Sequence, residues 1–388
     1  MIFSPSRMGR LNKRALIRQL QKAGVASRAG LARSLGMSQP TAGKIVDELL
    51  ALKVLEEVEV SGGNGVGASA QLGRPGRQLQ LNRSQPSFLG IQLGINETHF
   101  AELALGATET DEWQMSFHIP SDRTNPDAVW ERQLRATARN LRSQNFLGIL
   151  LSVPGVVDES ANRILFSPNI HWSEKADLPA IIRRIWDVPV LLVQEERALA
   201  LGYHVIHPEQ EDFLLVDFGD GVGGAVIVGG KPLASPLPIS GEIGHTPVLG
   251  NRRKCGCGAV GCMETLVSVR GLLESFAATG PRKKQSWNDL RDDIALHGIQ
   301  PWLAQALDAA AVAIAGALNV LGLRRVVITG SLTELPAAVL AHLSGAIRNG
   351  AMWARFGEVE CAGAPRYRTA GLVAVGIDRF IVPDKSSS

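Results

Sequence analysis

The sequence predicts two joined parts: a mainly α-helical, winged helix-turn-helix module at the N-terminus and a larger α/β body with two lobes. Three observations favour this architecture. The first 46 residues contain nine lysines and arginines and no acidic residue, whereas the rest of the chain carries 31 of the 40 basic residues and all 37 acidic ones. Short helical patterns with good capping residues fill the basic stretch. Beyond residue 87, strand-like and helix-like runs alternate over about 300 residues, enough for two lobes and a cleft.

Three helices are predicted in the basic stretch. Leu11–Ala23 has apolar residues at helical spacing. Ser27 can cap a second helix that continues to Leu35, and Ser38 can cap a third that runs to about Leu52. Two short helices joined by a tight turn match the helix-turn-helix pattern, and pattern and charge together predict DNA binding. A solvated basic face is the alternative that charge alone leaves open.

The third helix is the predicted recognition helix, because in helix-turn-helix proteins the start of this helix enters the major groove. Side chains in its first turns would reach base edges or phosphates, and an arginine of the preceding helix would flank the DNA backbone. The candidate DNA contacts in these two helices are Arg28, Ser38, Gln39, Thr41, Ala42 and Lys44.

A wing is predicted after the third helix. Val54–Val60 and Gln78–Leu81 have strand-like composition and flank a glycine-rich loop over Ser61–Gly73. Arg74 and Arg77 follow on a segment stiffened by proline and glycine, which suits a narrow minor groove. An ordinary interdomain linker is the alternative for residues 73–77.

The body alternates between two kinds of apolar run. Those with strand character are Phe88–Leu93, Phe100–Leu105, Phe146–Val153, Val188–Val193, Phe213–Phe218, Ala225–Val228 and Arg325–Thr329. Those with helical character are Pro126–Arg142, Leu178–Trp186, Glu196–Val205, Val267–Ala277 and Trp302–Leu321. Hairpins followed by strand–helix alternation predict mixed sheets. The longest apolar stretch, Ala309–Leu318, is too short to span a bilayer, so we expect a buried helix there and no membrane partner.

A histidine and three of the four cysteines form the most specific local motif. Cys255, Cys257 and Cys262 are spaced Cys-x-Cys-x4-Cys, and His245 lies ten residues upstream. Zn²⁺ favours four thiolate or imidazole ligands, and a closed Cys3His set is typical of a structural site. The motif therefore predicts structural zinc. An incidental cysteine cluster is the alternative, and a disulfide is disfavoured because a Cys-x-Cys bridge is strained. Few cysteines and no signal-like N-terminus also predict a cytoplasmic protein.

The same stretch resembles the signature of the ROK family (repressor, open reading frame, kinase). GEIGH at residues 241–245 is followed by CGCG at 255–258 and GCMET at 261–265. The N-terminal module is similar to that of the repressor branch, which includes regulators that respond to N-acetylglucosamine or xylose. The resemblance implies an actin-like, hexokinase-like fold, a sugar or sugar phosphate in the cleft between the lobes, and a homodimer or homotetramer.

The resemblance also implies which residues would hold the sugar. Glu242, His245 and Glu264 match positions that bind sugar hydroxyls in the family, so His245 would touch both metal and sugar. Carboxylates accept hydrogen bonds from vicinal hydroxyls, and a zinc-anchored loop would fix their positions. Glu242 and Glu264 could instead be surface carboxylates, and Asn169 could simply cap a turn. The complete implied set is Gly155, Asn169, Gln194, Glu195, Glu242, His245 and Glu264.

The kinase pattern of the family fails at three places. The Asp-x-Gly-x-Thr turn that handles phosphates and Mg²⁺ begins with Gln92 here, and a neutral amide is a poor Mg²⁺ partner. The Asn-Asp pair that holds and deprotonates the sugar reads Gln194-Glu195, and a base misplaced by about 1 Å can lose roughly a hundredfold in rate. The adenine-side Gly-Gly reads Gly330-Ser331. These departures favour a binding protein, with Glu195 as a degenerate base position.

We therefore expect a sugar-responsive transcriptional regulator, most simply a repressor of carbohydrate-utilisation genes, that binds a palindromic operator as a dimer. The expected segments are the winged helix-turn-helix at 1–58, wing and linker at 59–82, lobe 1 at 83–200 with a C-terminal helix at 368–388, and lobe 2 at 201–367. A sugar kinase with an added DNA-binding module is the rival prediction. A regulator controlled by a protein partner is the third.

Overall fold

The computed structural model describes residues 5–58, 77–83, 87–105, 113–119, 125–237, 239–279 and 286–383. The glycine-rich loop predicted as a wing and Arg74 lie outside these ranges, as do residues 384–388 of the predicted C-terminal helix.

The N-terminal unit contains three helices and a small sheet. Its elements are α1 (Pro5–Ala23), β1 (Val25–Ser27), α2 (Arg28–Ser34), α3 (Gln39–Ala51), β2 (Leu55–Val58) and β3 (Gln78–Leu81). The strands pair antiparallel in the order β1-β3-β2. Both predicted caps are confirmed: Ser27 Oγ accepts the Gly30 amide at 3.0 Å, and Ser38 Oγ accepts the Thr41 amide at 3.3 Å. Strand β1 is too short to leave a periodic pattern in the sequence.

One predicted DNA contact lies in the core of this unit. Ala42 is only 1% exposed, so its methyl group cannot reach a base. It lies three, four and seven positions before Ile45, Val46 and Leu49, which share the buried face of α3. The prediction of Ala42 as a DNA contact is wrong, because the apolar stripe of α3 begins one turn earlier than expected.

Lobe 1 is built on a five-stranded sheet. Its elements are β4 (Phe88–Leu93), β5 (Glu97–Leu103), β6 (Met115–His118), α4 (Pro126–Ala138), β7 (Gly148–Val153), β8 (Val156–Asp158), β9 (Arg163–Phe166), α5 (Leu178–Arg183) and β10 (Val190–Gln194). The sheet order is β10-β7-β4-β5-β6, with a parallel half (β10, β7, β4) and an antiparallel half (β4, β5, β6). Helix α6 (Glu195–Ile206) follows β10 and leads into lobe 2.

Lobe 2 repeats this sheet topology. Its elements are β11 (Phe213–Phe218), β12 (Val222–Val228), β13 (Lys231–Pro232), α7 (Glu264–Val267), α8 (Val269–Ala277), α9 (Trp287–His297), α10 (Pro301–Leu321), β14 (Arg325–Gly330), α11 (Ala337–Gly350) and β15 (Glu360–Gly363). The order β13-β12-β11-β14-β15 again joins an antiparallel meander to parallel strands. The chain then returns to lobe 1 through α12 (Arg368–Gly376) and a π-helical turn, Ile377–Ile381.

Helix α10 contains the apolar stretch predicted to form a buried helix. Within the described residues it is the one helix with the length and composition to cross a membrane. Its apolar side chains nevertheless fill the core of lobe 2: Ala310, Ile314 and Leu318 are at most 1% exposed. Burial of this kind is what a core helix of a globular domain requires.

The two helices that cross between the lobes pack directly on each other. Helix α6 lies mainly against β11, β12 and β13 of lobe 2, whereas α12 lies against β4, β5 and β7 of lobe 1. A Cβ on Gly371 of α12 would overlap the Ala198 carbonyl oxygen of α6, and one on Gly202 would overlap the Tyr367 carbonyl oxygen. The backbones therefore touch, and glycine is required at both positions.

Gly371→Ala should lower the free energy of unfolding by about 1–3 kcal/mol or more, because the added methyl group forces α6 and α12 apart. Gly316→Ala is the matched control: this glycine also lies inside a helix, α10, but a Cβ there meets no atom within 4 Å. It should stabilise the protein by about 1 kcal/mol through helix propensity. Urea unfolding of both variants measures the difference; equal effects would contradict the close contact.

Candidate metal centre and ligand cleft

Four potential metal ligands meet in lobe 2. The ligand atoms of His245, Cys255, Cys257 and Cys262 all lie within 4.8 Å of one another. Cys257 Sγ is 3.7 Å from Cys262 Sγ, and Cys255 Sγ is 3.6 Å from His245 Nδ1. Tetrahedral ligands with Zn–S near 2.3 Å and Zn–N near 2.1 Å would lie about 3.8 Å (S to S) and 3.6 Å (S to N) apart. None of the four cysteines forms a disulfide. The donor atoms and their spacing therefore fit a tetrahedrally coordinated metal ion.

The loop that carries these ligands is shaped by two glycines and one arginine. Gly258 and Gly261 have φ angles of 91° and 90°, where side chains are strained. Arg253 Nη1 donates to the carbonyl oxygens of Thr265 and Gly271 at 2.7 and 3.0 Å, which ties the loop to the start of α8. The glycine conformations and the hydrogen bonds of Arg253 thus shape the loop in addition to any bound metal.

Two of the thiols, Cys262 and Cys255, favour the protonated form because they are buried. Burial raises the pKa of Cys262 to about 12, and hydrogen bonds with Cys257 and Cys255 add to the effect. Burial likewise raises the pKa of Cys255. A bound cation would reverse this preference, because the thiolate is the metal ligand, and binding would release protons.

His245 connects the metal ligands to a pair of carboxylates. Its Nδ1 faces Cys255, and its Nε2 lies 3.5 Å from Glu242 Oε2. Glu264 Oε2 accepts the Val222 amide at 2.9 Å, and its Oε1 lies 3.8 Å from Cys255 Sγ. Burial raises the pKa of Glu242. The neighbouring His245 lowers this pKa, and Glu264 raises it. Both glutamates are half-buried, and the structure brings together the three residues that the resemblance assigns to sugar hydroxyls.

Glu195, at the degenerate base position, is tied to lobe 1. It is the first residue of α6, and its Oε1 accepts Gln92 Nε2 of β4 at 3.0 Å. The same oxygen pairs with the guanidinium of Arg368, the first residue of α12. The side chains of Glu195 and Arg368 are 15% and 5% exposed, so this ion pair is largely desolvated. The preceding Gln194 donates to the Ser240 carbonyl oxygen of lobe 2 at 3.4 Å.

Asn169 and Gly155 lie on two turns of lobe 1. A Cβ on Gly256, which separates two of the metal ligands, would lie 3.5 Å from Asn169 Oδ1 and 3.1 Å from the Pro168 carbonyl oxygen. Asn169 of lobe 1 therefore lies beside the metal loop of lobe 2. Gly155 has φ 94°, and a Cβ there would overlap the Phe166 carbonyl oxygen, so its contact lies within its own lobe.

A second buried ion pair in the cleft is not anticipated by the sequence. Asp217 of β11 accepts Arg366 Nε and Nη2, both at 2.8 Å, and the Thr329 hydroxyl at 2.7 Å. Burial alone would raise the pKa of Asp217, but Arg366 and Thr329 outweigh it and hold the pKa below its usual value. Cβ atoms on Gly219 and Gly330 would come within 2.7 and 2.6 Å of Arg366 Nη2. The guanidinium therefore lies against both glycine turns of the cleft.

Glu196 is a further carboxyl group that the sequence does not single out. Its Oε2 is buried without a donor among the described residues, and the side chain lies against Gly223 of β12. Burial, followed by the charge of Glu195, raises its pKa well above the usual value. The raised pKa favours the protonated, uncharged form of Glu196.

The predicted contacts at the start of α3 form one exposed patch. Gln39, Thr41 and Lys44 are all exposed, and none lies in the core of the N-terminal unit. Ser38 is engaged at the cap and also hydrogen-bonds the Thr41 hydroxyl at 2.8 Å. Backbone capping is therefore the role that the structure gives to Ser38.

Two of the predicted arginine contacts are partnered within the unit. Arg28 lies 2.6 Å from Asp47 Oδ1 and 3.5 Å from Glu57 Oε1. Arg77 pairs with the other oxygen of Glu57. Because these pairs are exposed and weak, a phosphate could replace the carboxylates. Arg74 lies outside the described residues.

Removal of a thiol tests the metal centre. Cys257→Ser should reduce the bound transition metal from about one ion per chain to a small fraction, since serine is a poor zinc ligand. Cys361→Ser is the matched control, because Cys361 lies on β15 away from the cluster. Elemental analysis after dialysis in metal-free buffer gives the metal content. Equal content in the two variants would contradict the assignment.

Arg366→Gln tests the buried pair with Asp217. Because the pKa of Asp217 is lowered by folding, its contribution to stability is complete above the unfolded pKa, about 3.9, and is lost as the pH falls through the folded pKa. Without Arg366 the buried carboxylate loses its ion-pair partner and keeps the Thr329 hydroxyl and the charge of Arg368, so the variant should lose about 3 kcal/mol at pH 7. The pKa of Asp217 should rise in the variant. The difference in the free energy of unfolding between variant and wild type should therefore narrow as the pH falls towards 4.

Urea unfolding at pH 7 and pH 5 measures both effects. The control is Arg184→Gln, which removes an exposed partner of Glu131. Solvent screens that pair, and Arg135 still contacts Glu131, so stability should barely change. A pH-independent loss in Arg366→Gln would contradict the role assigned to Asp217.

Residues 89–360 match the ROK family. The DNA-binding transcriptional dual regulator NagC of Escherichia coli is 23% identical over 362 residues, which cover 88% of this chain and 86% of NagC. The xylose repressor of Caldicellulosiruptor bescii is 25% identical over 267 residues, 68% of this chain and 65% of the repressor, slightly less than two thirds of that relative.

The solved structures agree on the fold. A ROK family transcriptional regulator that is a homolog of the E. coli MLC protein superposes with a TM-score of 0.76 at 20% identity, over 95% of this chain and 96% of that one. The predicted hexokinase-like fold of the two lobes is confirmed. Because residues 89–360 match the family, the chain belongs to the ROK family.

Proposed function

We propose that this protein is a sugar-responsive, DNA-binding transcriptional regulator, most simply a repressor of carbohydrate-utilisation genes. The observation that carries the proposal is the N-terminal unit of three helices and an antiparallel sheet, joined to a ROK body whose candidate base is neutralised by an arginine. Relatives named as a xylose repressor and as a DNA-binding transcriptional regulator support it.

The N-terminal unit acts as a winged helix-turn-helix in this proposal. The start of α3 presents Gln39, Thr41 and Lys44 to solvent, and the unit has no acidic residue before Asp47. A helix placed in the major groove reads bases with such polar side chains, while basic residues contact phosphates. A palindromic operator then requires two copies, which the family resemblance supports as a dimer or tetramer.

The cleft is proposed to bind a sugar or sugar phosphate. Glu242 and Glu264 offer carboxylate oxygens, Asn169 offers an amide, and His245 Nε2 is turned towards the same space. Acceptors of this kind match vicinal hydroxyl groups. We propose zinc as the ion on the Cys3His ligands, where it would fix the loop that positions these groups.

Two contacts in the cleft argue against phosphoryl transfer. A catalytic base must reach the hydroxyl whose proton it removes, and here Glu195 is held by Arg368 and Gln92. The guanidinium of Arg366 lies against the glycine turns at Gly219 and Gly330, where backbone amides could otherwise approach a phosphate. The rival kinase function therefore has less support.

Fluorescence anisotropy with DNA from upstream of the protein's own gene tests the proposal, with and without a panel of sugars and sugar phosphates. We expect salt-dependent binding that one ligand shifts. Gln39→Ala should cost about 1–3 kcal/mol and relax sequence preference, and Lys44→Ala should reduce the salt slope by about 1. Lys231→Ala, on an exposed hairpin of lobe 2, should change neither.

Two outcomes would overturn the proposal. Operator binding that no sugar alters would favour control by a protein partner. Absence of operator binding, together with ATP-dependent phosphorylation of a hexose that Glu195→Gln abolishes, would favour the kinase.

A further inference from the structure

The interface between α6 and α12 is the contact about which the lobes can move. Helix α6 belongs by its packing to lobe 2, and α12 belongs by its packing to lobe 1. The two helices are also the points where the chain crosses between the lobes. Any change in the angle between the lobes must therefore be accommodated along this helix pair or its ends.

The ligand cleft contacts this interface at one end. Glu195 opens α6 and Arg368 opens α12, and their ion pair joins the two helices at the cleft. Gln92 of lobe 1 hydrogen-bonds the same carboxylate oxygen. Glu195 is thus a lobe 2 residue held by two lobe 1 side chains, one of them a buried cation that requires a partner.

The N-terminal unit contacts the other end of the same helix. The π-helical turn after α12 carries Asp378, whose carboxylate lies 2.7 Å from Nε of Arg14 on α1. Asp378 is ten positions after Arg368, which corresponds to about 15 Å along a helix. The two charged contacts therefore lie at opposite ends of one continuous element.

Apolar packing reinforces the contact at this end. Ile377, Ile381 and Val382 belong to the same buried cluster as residues of α1, among them Leu16, Ile17 and Leu20. The N-terminal unit thus shares its hydrophobic core with the end of α12. A shift of that end cannot leave α1 in place, because packed cores adopt discrete arrangements and do not deform continuously.

We propose that α12 and its π-helical turn couple the cleft to the DNA-binding unit, with Arg368 as the residue that responds to ligand and Asp378 as the residue that transmits the response to α1. The inference rests on the proposed function, since a cleft ligand that hydrogen-bonds Glu195 is what competes with Arg368 for the carboxylate. The ligand acts only through a difference in affinity between the two arrangements, as any such coupling requires.

The competition has a definite physical origin. A carboxylate oxygen that binds a sugar hydroxyl gives up part of its interaction with the guanidinium, and Arg368 has little access to water. Weakening a largely desolvated ion pair is unfavourable, so the start of α12 has to shift to restore the interactions of the guanidinium. Because Gly371 and Gly202 bring the helix backbones into contact, the movement displaces α12 as a whole.

Hydrogen–deuterium exchange of the full-length protein tests this coupling without requiring either DNA or sugar. Glu195→Gln keeps the size of the side chain and removes its charge. We expect amide exchange to rise roughly tenfold at the start of α12 and also in α1 around Arg14. In the double variant with Asp378→Asn, the increase in α1 caused by Glu195→Gln should disappear. Asp308→Asn removes a similarly exposed aspartate that pairs with His342 on lobe 2, and should leave α1 unchanged.

An increase confined to α12 in Glu195→Gln, with α1 at its wild-type rate, would overturn the inference. If Glu195→Gln does not fold, Asp378→Asn alone decides the question, because coupling is reciprocal. Exchange should then rise at the start of α12 as well as in α1, and an effect limited to α1 would refute the coupling. Operator and sugar titrations of the wild type judge the proposed function separately.

Discussion

The buried carboxylates of the cleft have to be neutralised, and this requirement positions the segments around them. Asp217 and Glu195 each receive an arginine from the same short segment, Arg366 and Arg368. Among the described residues no arginine or lysine pairs with Glu196, and burial, followed by the charge of Glu195, raises its pKa. Neighbouring carboxylates that have little contact with water repel one another unless each is paired with a cation or protonated. The segment between β15 and α12 is therefore fixed in place by charge as much as by packing.

This constraint determines how the helices and the metal loop are placed. The two arginines set the start of α12, and the glycine contacts at Gly371 and Gly202 then allow α6 to lie against it. On the other side of the cleft, His245 lies with the three cysteines of the metal cluster and also beside Glu242. The carboxylates proposed to accept sugar hydroxyls thus lie at and beside the loop of the metal ligands, whereas the cations that neutralise Asp217 and Glu195 come from the start of α12. Neither group is positioned by the strands of the sheets alone.

Local signals in the sequence predict many of the elements and the metal site, but not helices α9 and α11 or the pairing of distant charges. The caps at Ser27 and Ser38 and the Cys3His spacing are local patterns, and they are found as predicted. The sequence does not identify Ala42 as a core residue, because a small residue in the first turn of α3 leaves the edge of the apolar face ambiguous.

The pairing of charges could not be predicted because it depends on the tertiary fold. Asp217 within the apolar strand Phe213–Phe218 was a usable hint, since a buried acid needs a partner. Its partner Arg366 lies 149 positions away, and Arg368 lies 173 positions from Glu195. No periodicity connects residues so far apart. Short elements such as β8, β9 and β13 were also missed, because two to four residues carry too little pattern.

Loss of catalysis and gain of signalling can be the same change in the proposed regulator. A base serves a kinase only when it is free to take a proton from the bound sugar. The pairing of Glu195 with Arg368 removes that freedom, and it gives the ligand a charged contact to compete with. A ligand that competes for Glu195 would act on α12 through this contact. In the proposed regulator, the ion pair that would suppress a proton transfer is thus also the contact through which a sugar would move α1.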